Sequence, residues 1–159
     1  MSISRREFIK LTGTTVVCTC MGVVGASGCA ARPTSDTPAA PAGSYRIEDD
    51  RVIVALSEVE ALKDVGGAVK FTLSDQDGAG PGIIVVRSGD QDYRAFADRC
   101  THNGKELDYL HAEEKLACCG LGSEFDLAGN VIKGPAEDAL LAYRLRREGE
   151  ELVIEIQDS

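Results

Sequence analysis

The chain has 159 residues and 43% hydrophobic content, which is enough for one compact core and too little for two domains joined by a long linker. Its 17 glycines and its lack of tryptophan favour many turns and short strands over long helices packed on aromatic rings. The formal net charge is -9. Such an acidic surface repels phosphate backbones, which argues against nucleic acid as a partner and favours a basic protein.

The first 31 residues have the composition of a targeting segment. Arg5 and Arg6 precede a stretch from 11 to 31 that carries no charge but is diluted by Gly and Thr, and this arrangement resembles a twin-arginine export signal. Cys29 follows small residues, as in a bacterial lipobox, so lipidation of Cys29 and an uncleaved apolar anchor are alternative attachments. We therefore expect export by the twin-arginine route and a membrane-tethered protein on the periplasmic or extracytoplasmic face.

Residues 32–44 are rich in Pro, Ala, Ser and Thr, a composition that predicts an extended linker. The remainder, 45–159, is expected to form one domain. Short apolar or alternating runs are separated there by turns that contain Gly. The predicted strands are 51–56, 69–73, 83–87, 93–97, 115–117, 124–127, 131–133, 141–145 and 151–156, with one or two helical turns at 57–63. Strands at this spacing predict an all-β fold, either a small antiparallel sandwich or a barrel.

Cysteine and histidine are concentrated in two short segments of this domain. The first reads Cys100-Thr101-His102, and the second begins Cys118-Cys119 and ends Gly122-Ser123. Alternate residues of an extended loop tip point the same way, so Cys100 and His102 can chelate one site. Three cysteines are an odd number for a disulfide framework, and metal ligation is therefore the favoured interpretation.

The two segments resemble the Rieske family, whose pattern is Cys-x-His, a spacer, and then Cys-x-x-His-Gly-Ser. The flanking strand at 93–96, the Phe125-Asp126 pair and the segment 134–136 match that family as well. The resemblance implies a Rieske-type fold with a cluster-binding two-loop subdomain and a [2Fe-2S] cluster as cofactor. It also implies residue roles: ligands at Cys100, His102 and Cys118, and a hydrogen bond from Ser123 to a cluster sulfur.

One position departs from the pattern, because Leu121 stands where the family has its second histidine ligand. Three alternatives follow. Cys119 or another nearby group completes the site; or His111, the only other histidine, folds back; or no cluster binds, and Cys100 forms a disulfide with Cys118 in the oxidising exterior. Because Leu121 cannot accept a proton as the family's exposed histidine does, direct quinol oxidation is disfavoured.

Other departures predict a low-potential cluster. Some family members carry an additional cysteine pair, at whose places this chain has Lys105 and Gly120, and Phe125 replaces a tyrosine that would donate to a cysteine sulfur. The expected function is electron transfer as a subunit of an exported respiratory complex, with a cytochrome or larger oxidoreductase subunit as redox partner and no enzymatic activity of its own. The alternative is a degenerate, cluster-free Rieske-like module with a structural or assembly role.

Overall fold

A computed structural model describes residues 35–73 and 82–156. The predicted export signal and the Cys29 lipidation site lie outside these residues. Eleven strands occur within them: β1 (Tyr45–Glu48), β2 (Arg51–Ala55), β3 (Ala68–Thr72), β4 (Gly82–Arg87), β5 (Tyr93–Ala97), β6 (Leu107–Leu110), β7 (Lys115–Cys118), β8 (Glu124–Phe125), β9 (Val131–Lys133), β10 (Ala142–Glu148) and β11 (Glu151–Glu155).

The prediction of an all-β fold is confirmed. In the described ranges the only helical segments are single 3-10 turns at Leu56–Glu58, Glu60–Leu62 and His111–Glu113. Two strands, β1 and β6, were not predicted, since their sequences lack a run of β-branched residues and β1 is largely exposed. No helix in this part of the chain has the length and apolar character needed to cross a membrane.

The strands form two antiparallel sheets. The larger has the order β1-β2-β11-β10-β5-β4-β3, and the smaller has the order β6-β7-β8-β9. Four consecutive apolar residues in β4 are buried, so this strand is covered on both faces. Ile83 and Val85 face a core between the two halves of the curled larger sheet, whereas Ile84 and Val86 face a second core beneath the smaller sheet.

The smaller sheet is thereby fixed on the outer face of β4 and β5. Phe96 of β5, Leu107 of β6, Leu116 of β7 and Phe125 of β8 share the second core, and each is at most 2% exposed. Burial of an aromatic or leucine side chain of this kind contributes roughly 1.5–3 kcal/mol. This core thus determines where the loops at the ends of β5, β6, β7 and β8 lie.

Residues 35–44, the described part of the predicted linker, lie against the domain. Asp108, which is 1% exposed, accepts hydrogen bonds from Ser35 Oγ (3.1 Å), from Thr37 N (2.9 Å) and from Thr37 Oγ1 (2.6 Å). Ala39 forms a parallel bridge with Lys70 of β3. A buried carboxylate requires donors, and Ser35 and Thr37 supply them, so the described part of the predicted linker is held against β6.

Candidate metal centre

Two loops meet at one end of the β6–β7 hairpin. The first loop, residues 98–106, joins β5 to β6, and the second loop, residues 119–123, joins β7 to β8. Leu107 pairs with Cys118 in the last register position of the hairpin, so both loops leave from the same end. The Cys119 N–H donates to Glu106 O at 3.0 Å and fastens the loops to each other.

An ion pair closes the base of the first loop. Asp98 accepts the Leu107 N–H at 2.8 Å, and its other oxygen lies 2.9 Å from Lys70 Nζ. The side chains of Lys70 and Asp98 are 11% and 6% exposed, and Lys70 also contacts the exposed carboxylate of Glu106 at 3.1 Å. One carboxylate thus bridges the two ends of the loop and the neighbouring strand β3.

The thiols of Cys100 and Cys118 lie side by side between the loops. They are free, are 1% and 4% exposed, and interact with each other. Backbone N–H groups of His102 and Asn103 donate to the Cys100 sulfur, and the Gly120 N–H donates to Cys118 Sγ at 3.3 Å. Two buried sulfurs from different loops, each with a backbone N–H group beside it, form a site suited to thiolate ligands of a metal.

The environment holds Cys100 in its protonated form when no metal is bound. Burial raises the pKa of the Cys100 thiol, the His102 N–H opposes this effect, and the adjacent Cys118 raises the pKa again. A cation that binds the Cys100 sulfur reverses this preference, because it stabilises the thiolate and releases its proton. Metal binding at this pair therefore depends on pH.

The opposite side of the site is open to solvent. His102 is exposed, as is every residue from Thr101 to Glu106, and Leu121 at the tip of the second loop is 65% exposed. Over the described ranges, no three Cys, His, Asp or Glu side chains come together as a metal-binding group. The structure thus brings together Cys100 and Cys118, and leaves His102 on the surface beside them.

Cys119 and His111, the two candidates for the missing ligand, lie elsewhere. Cys119 is 7% exposed and has Lys70 and Asp108 near it, on the charged side of the hairpin. Burial raises the pKa of the Cys119 thiol, Lys70 lowers this pKa, and Asp108 raises it. His111 follows Leu110 at the far end of the hairpin, at least about 10 Å along the ladder from Cys118. Its imidazole packs directly on Gly66 and leaves no space there for a Cβ.

Ser123 connects the second loop to a third loop, residues 134–141. Its side chain is fully buried, and its hydroxyl oxygen accepts the Ala136 N–H at 3.0 Å. The hydroxyl proton is not used by that bond and is available to an acceptor. The first loop contacts the same segment, since Thr101 Oγ1 donates to Asp138 O at 2.7 Å. The third loop thus supports both cysteine loops from one side.

Several supporting residues were not identified from the sequence. The Cys118 thiol donates to Asn103 Oδ1 at 3.5 Å, and that oxygen also accepts the Lys105 N–H at 3.1 Å. The Lys70–Asp98 pair joins a residue of β3 to the first residue of the first loop. No periodicity or motif signals such contacts, because they depend on how distant segments are packed together.

An all-β domain in which two loops converge on paired, buried thiols is characteristic of a metal- or cluster-binding protein. Residues 51–144 match the model of the Rieske [2Fe-2S] domain family. The match covers more than half of the chain, and the chain therefore belongs to this family. The resemblance found from the sequence is confirmed, and the predicted cofactor, a [2Fe-2S] cluster, is the cofactor of the family.

Curated relatives match a shorter region. The chain is 36% identical over 76 residues to cytochrome b6-f complex iron-sulfur subunit 1 of Nostoc sp., an alignment that covers 46% of this chain and 42% of that protein. It is 32% identical over 72 residues to the cytochrome b6-f complex iron-sulfur subunit of Chlorobaculum thiosulfatiphilum, covering 45% and 39%. The matches therefore span less than half of the relatives' own length.

Among solved structures, the plasma membrane Rieske protein PetC3 from Synechocystis PCC 6803 aligns with a TM-score of 0.44 and 29% identity, covering 53% of this chain and 94% of that one. The ferredoxin of carbazole 1,9a-dioxygenase from Nocardioides aromaticivorans aligns with a TM-score of 0.44 and 22% identity, covering 50% and 79%.

The residues present fit the thiolate half of the cluster. Cys100 and Cys118 are adjacent, and N–H groups are directed at both sulfurs. At the imidazole half, His102 is in register with the family pattern, whereas Leu121 has no atom that can bind iron. The chain thus offers three of the four expected ligand positions.

Proposed function

We propose that the chain transfers electrons through a [2Fe-2S] cluster bound between the first and second loops, as a tethered subunit of an exported redox complex. The observation that carries the proposal is the pair of neighbouring, buried thiols of Cys100 and Cys118, with backbone N–H groups donating to each sulfur. Paired sulfurs with N–H donors beside them suit a bound cluster that transfers electrons.

Each residue has a defined part in this proposal. Cys100 and Cys118 would hold the enclosed iron, and His102 would hold the outer iron near the surface. The N–H groups of His102, Asn103 and Gly120 stabilise negative charge on the sulfurs. When bound, the cluster supplies a one-electron redox centre. The exposed first loop then leaves little protein between that centre and a docked partner.

The surroundings support a low reduction potential. Phe125 is fully buried beneath the smaller sheet and has no hydroxyl that could donate to a sulfur. Gly120 and Lys105 cannot form a disulfide that braces the two loops. Fewer donors to the sulfurs leave more negative charge uncompensated, and this lowers the potential.

The proposed setting follows from the N-terminal sequence and the charge. Arg5, Arg6 and the uncharged stretch that follows support twin-arginine export, and Cys29 supports lipidation and a membrane tether. The two relatives are subunits of cytochrome b6-f complexes, which supports a subunit role for this chain, with a larger oxidoreductase subunit or a cytochrome as partner. A net charge of -9 favours a basic docking surface on that partner.

The test is chemical analysis of the full chain expressed and purified without oxygen. We expect about two irons and two acid-labile sulfides per chain. Cys100→Ser and Cys118→Ser should both lose the cluster. Cys119→Ser is the matched control, since it changes the adjacent buried cysteine on the charged side of the hairpin, and it should retain both elements. Absence of iron and sulfide from every preparation would contradict the proposal.

A second candidate is a cluster-free module, and Leu121 in the fourth ligand position favours it. In that case Cys100 and Cys118, whose thiols interact in this structure, would oxidise to a disulfide outside the cytoplasm. Peptide mapping under non-reducing conditions distinguishes the two functions. A Cys100–Cys118 linked peptide from protein isolated after export, together with absent sulfide, would support the cluster-free module.

A further inference from the structure

We propose that a groove between β5, β10 and the turn that joins β8 to β9 binds a small organic phosphate, a phosphate monoester whose remaining part is apolar. None of the described residues that line this groove belongs to the first or the second loop. Binding in the groove is therefore a function separate from electron transfer, and it does not require a cluster between Cys100 and Cys118.

The groove opens where β10 exchanges one neighbouring strand for another. The first two residues of β10 pair with β5, whereas Arg144–Glu148 pair with β11. The strands β5 and β10 thus diverge beyond Tyr143, and Leu127 and Ala128 of the β8–β9 turn line the space between them. The groove has a volume of about 550 Å³, which lies within the range of roughly 300–1,000 Å³ that is usual for sites of small molecules.

Two arginines line the groove from the two diverging strands, Arg94 from β5 and Arg144 from β10. Alternate residues of a strand share a face, so Arg94 lies on the face of Phe96 and Arg144 lies on the face of Ala142. Phe96 and Ala142 are register partners, so all four side chains lie on the same face of the larger sheet. Both arginines are exposed, and their guanidinium groups can contact one ligand together.

The groove is positively charged although the chain as a whole is acidic. Its charged lining consists of three arginines and one glutamate. Arg146 is neutralised by Glu148 at 2.6 Å and by Glu155 at 2.5 Å. Among the described residues, by contrast, no carboxylate lies within ion-pair distance of Arg94 or Arg144. Like charges on neighbouring strands repel each other, so an anion that contacts both guanidinium groups removes an unfavourable interaction.

The two unneutralised guanidinium groups favour a phosphate over a carboxylate. The two oxygens of a carboxylate are satisfied by one guanidinium group, whereas a phosphate monoester has three free oxygens and a charge of about -2 near pH 7. A phosphate monoester can thus accept hydrogen bonds from Arg94 and Arg144 at once. Leu127, Ala128 and Ala142 provide apolar surface in the same groove, which suits an apolar body attached to the phosphate.

The acidic surface elsewhere restricts the size of the ligand. At physiological ionic strength, exposed charges are largely screened beyond about 8 Å, so the net charge of -9 does not exclude a small anion from a locally positive groove. A long phosphate chain would extend beyond the groove and meet acidic surface there. We therefore expect a small phosphate monoester and not a nucleic acid.

The test is a titration of phenyl phosphate with the full chain, followed by phosphorus nuclear magnetic resonance. The wild type should show saturable binding at one site, and inorganic phosphate and benzoate should compete more weakly, because each lacks one of the two parts of the ligand. Arg94→Gln and Arg144→Gln should each weaken binding by about tenfold or more. Arg94→Lys keeps the charge but loses the planar pair of donors, so its affinity should lie between those of the wild type and Arg94→Gln.

Arg99→Gln is the matched control, since Arg99 is an exposed arginine of the first loop and does not line the groove. It should bind phenyl phosphate as the wild type does, and all of these variants should keep the far-ultraviolet circular dichroism of the wild type. Cys100→Ser should lose the cluster and keep phosphate binding, so failure of the proposed function and failure of this site are distinguishable.

Three results would overturn the proposal. The first is a wild type that shows no saturation below about 10 mM phenyl phosphate. The second is a loss of affinity in Arg99→Gln equal to that in the groove variants, which would show a general attraction to positive charge. The third is benzoate that binds as tightly as phenyl phosphate, which would assign the groove to a carboxylate.

Phosphate monoesters occur as soluble metabolites and as the headgroup of phosphatidic acid. Competition by glycerol phosphate and by short-chain, soluble phosphatidic acid separates these two sources. Displacement of phenyl phosphate by both compounds at similar concentrations would support a soluble ligand. Displacement by the short-chain phosphatidic acid at a much lower concentration would support a lipid headgroup in the same groove. Displacement by neither compound would count against a phosphate site.

Discussion

Replacement of Asp98 by alanine should destabilise the domain and loosen the first loop. Asp98 accepts the N–H of Leu107, a residue with no exposed surface, and pairs with Lys70 in a site where both side chains are nearly enclosed. The orphaned N–H costs about 1–3 kcal/mol. Breaking a buried ion pair costs about 3–5 kcal/mol, and the lower end applies because Lys70 keeps Glu106. We expect a total loss of about 4–6 kcal/mol.

The assay is urea unfolding of the metal-free, reduced full chain, followed by far-ultraviolet circular dichroism. Asp98→Asn preserves an oxygen for the Leu107 N–H and removes only the charge, so it should lose about half as much free energy of unfolding as Asp98→Ala. Asp90→Ala, which removes an exposed carboxylate in the β4–β5 turn, should change it by no more than about 0.5 kcal/mol.

The reasoning fails if Asp98→Ala costs less than about 1 kcal/mol, since neither the buried bond nor the pair would then contribute as their burial indicates. It also fails if Asp98→Asn and Asp98→Ala are equal, because the Leu107 N–H would then have no need of an acceptor. In cluster-containing protein, Asp98→Ala should release iron to a chelator faster than the wild type, because the first loop is no longer closed at its base.

Two other substitutions test the surroundings of the loops. Burial acts to raise the pKa of Asp108, but hydrogen bonds from Thr37 and Ser35 outweigh it and lower the pKa below the ordinary 3.8. Urea unfolding should show that the free energy lost in Asp108→Asn is constant above pH 3.8 and shrinks as the pH falls through the lowered pKa of Asp108. A loss of stability that grows in acid would contradict this prediction. Gly120→Ala places a Cβ 2.6 Å from Asn103 Nδ2, so it should displace the Asn103 side chain from the Cys118 thiol. We expect a loss of about 1 kcal/mol in the free energy of unfolding and a shift of the reduction potential of the cluster. An unchanged potential would show that the Asn103 contact does not tune the cluster.

Most of the larger sheet follows from local pattern. The consecutive apolar residues of β4 and β11 and the alternation at the start of β5 predict strands, because these patterns match a strand that is buried on both faces or on one face. The polar strands β1 and β6 carry no such signal. They form because β2 and β7 have unpaired edges that need hydrogen-bonding partners.

By itself, the sequence determined nine of the eleven described strands, the family, and the two segments in which cysteine and histidine are concentrated, since these depend on the identity and spacing of neighbouring residues. Only the tertiary structure decided that the Cys100 and Cys118 thiols are neighbours, that His111 lies at the far end of the hairpin, and that Asp98 and Asp108 hold segments distant in the chain. These contacts join residues far apart along the chain. Their existence depends on how two sheets pack through β4, which no short window of sequence records.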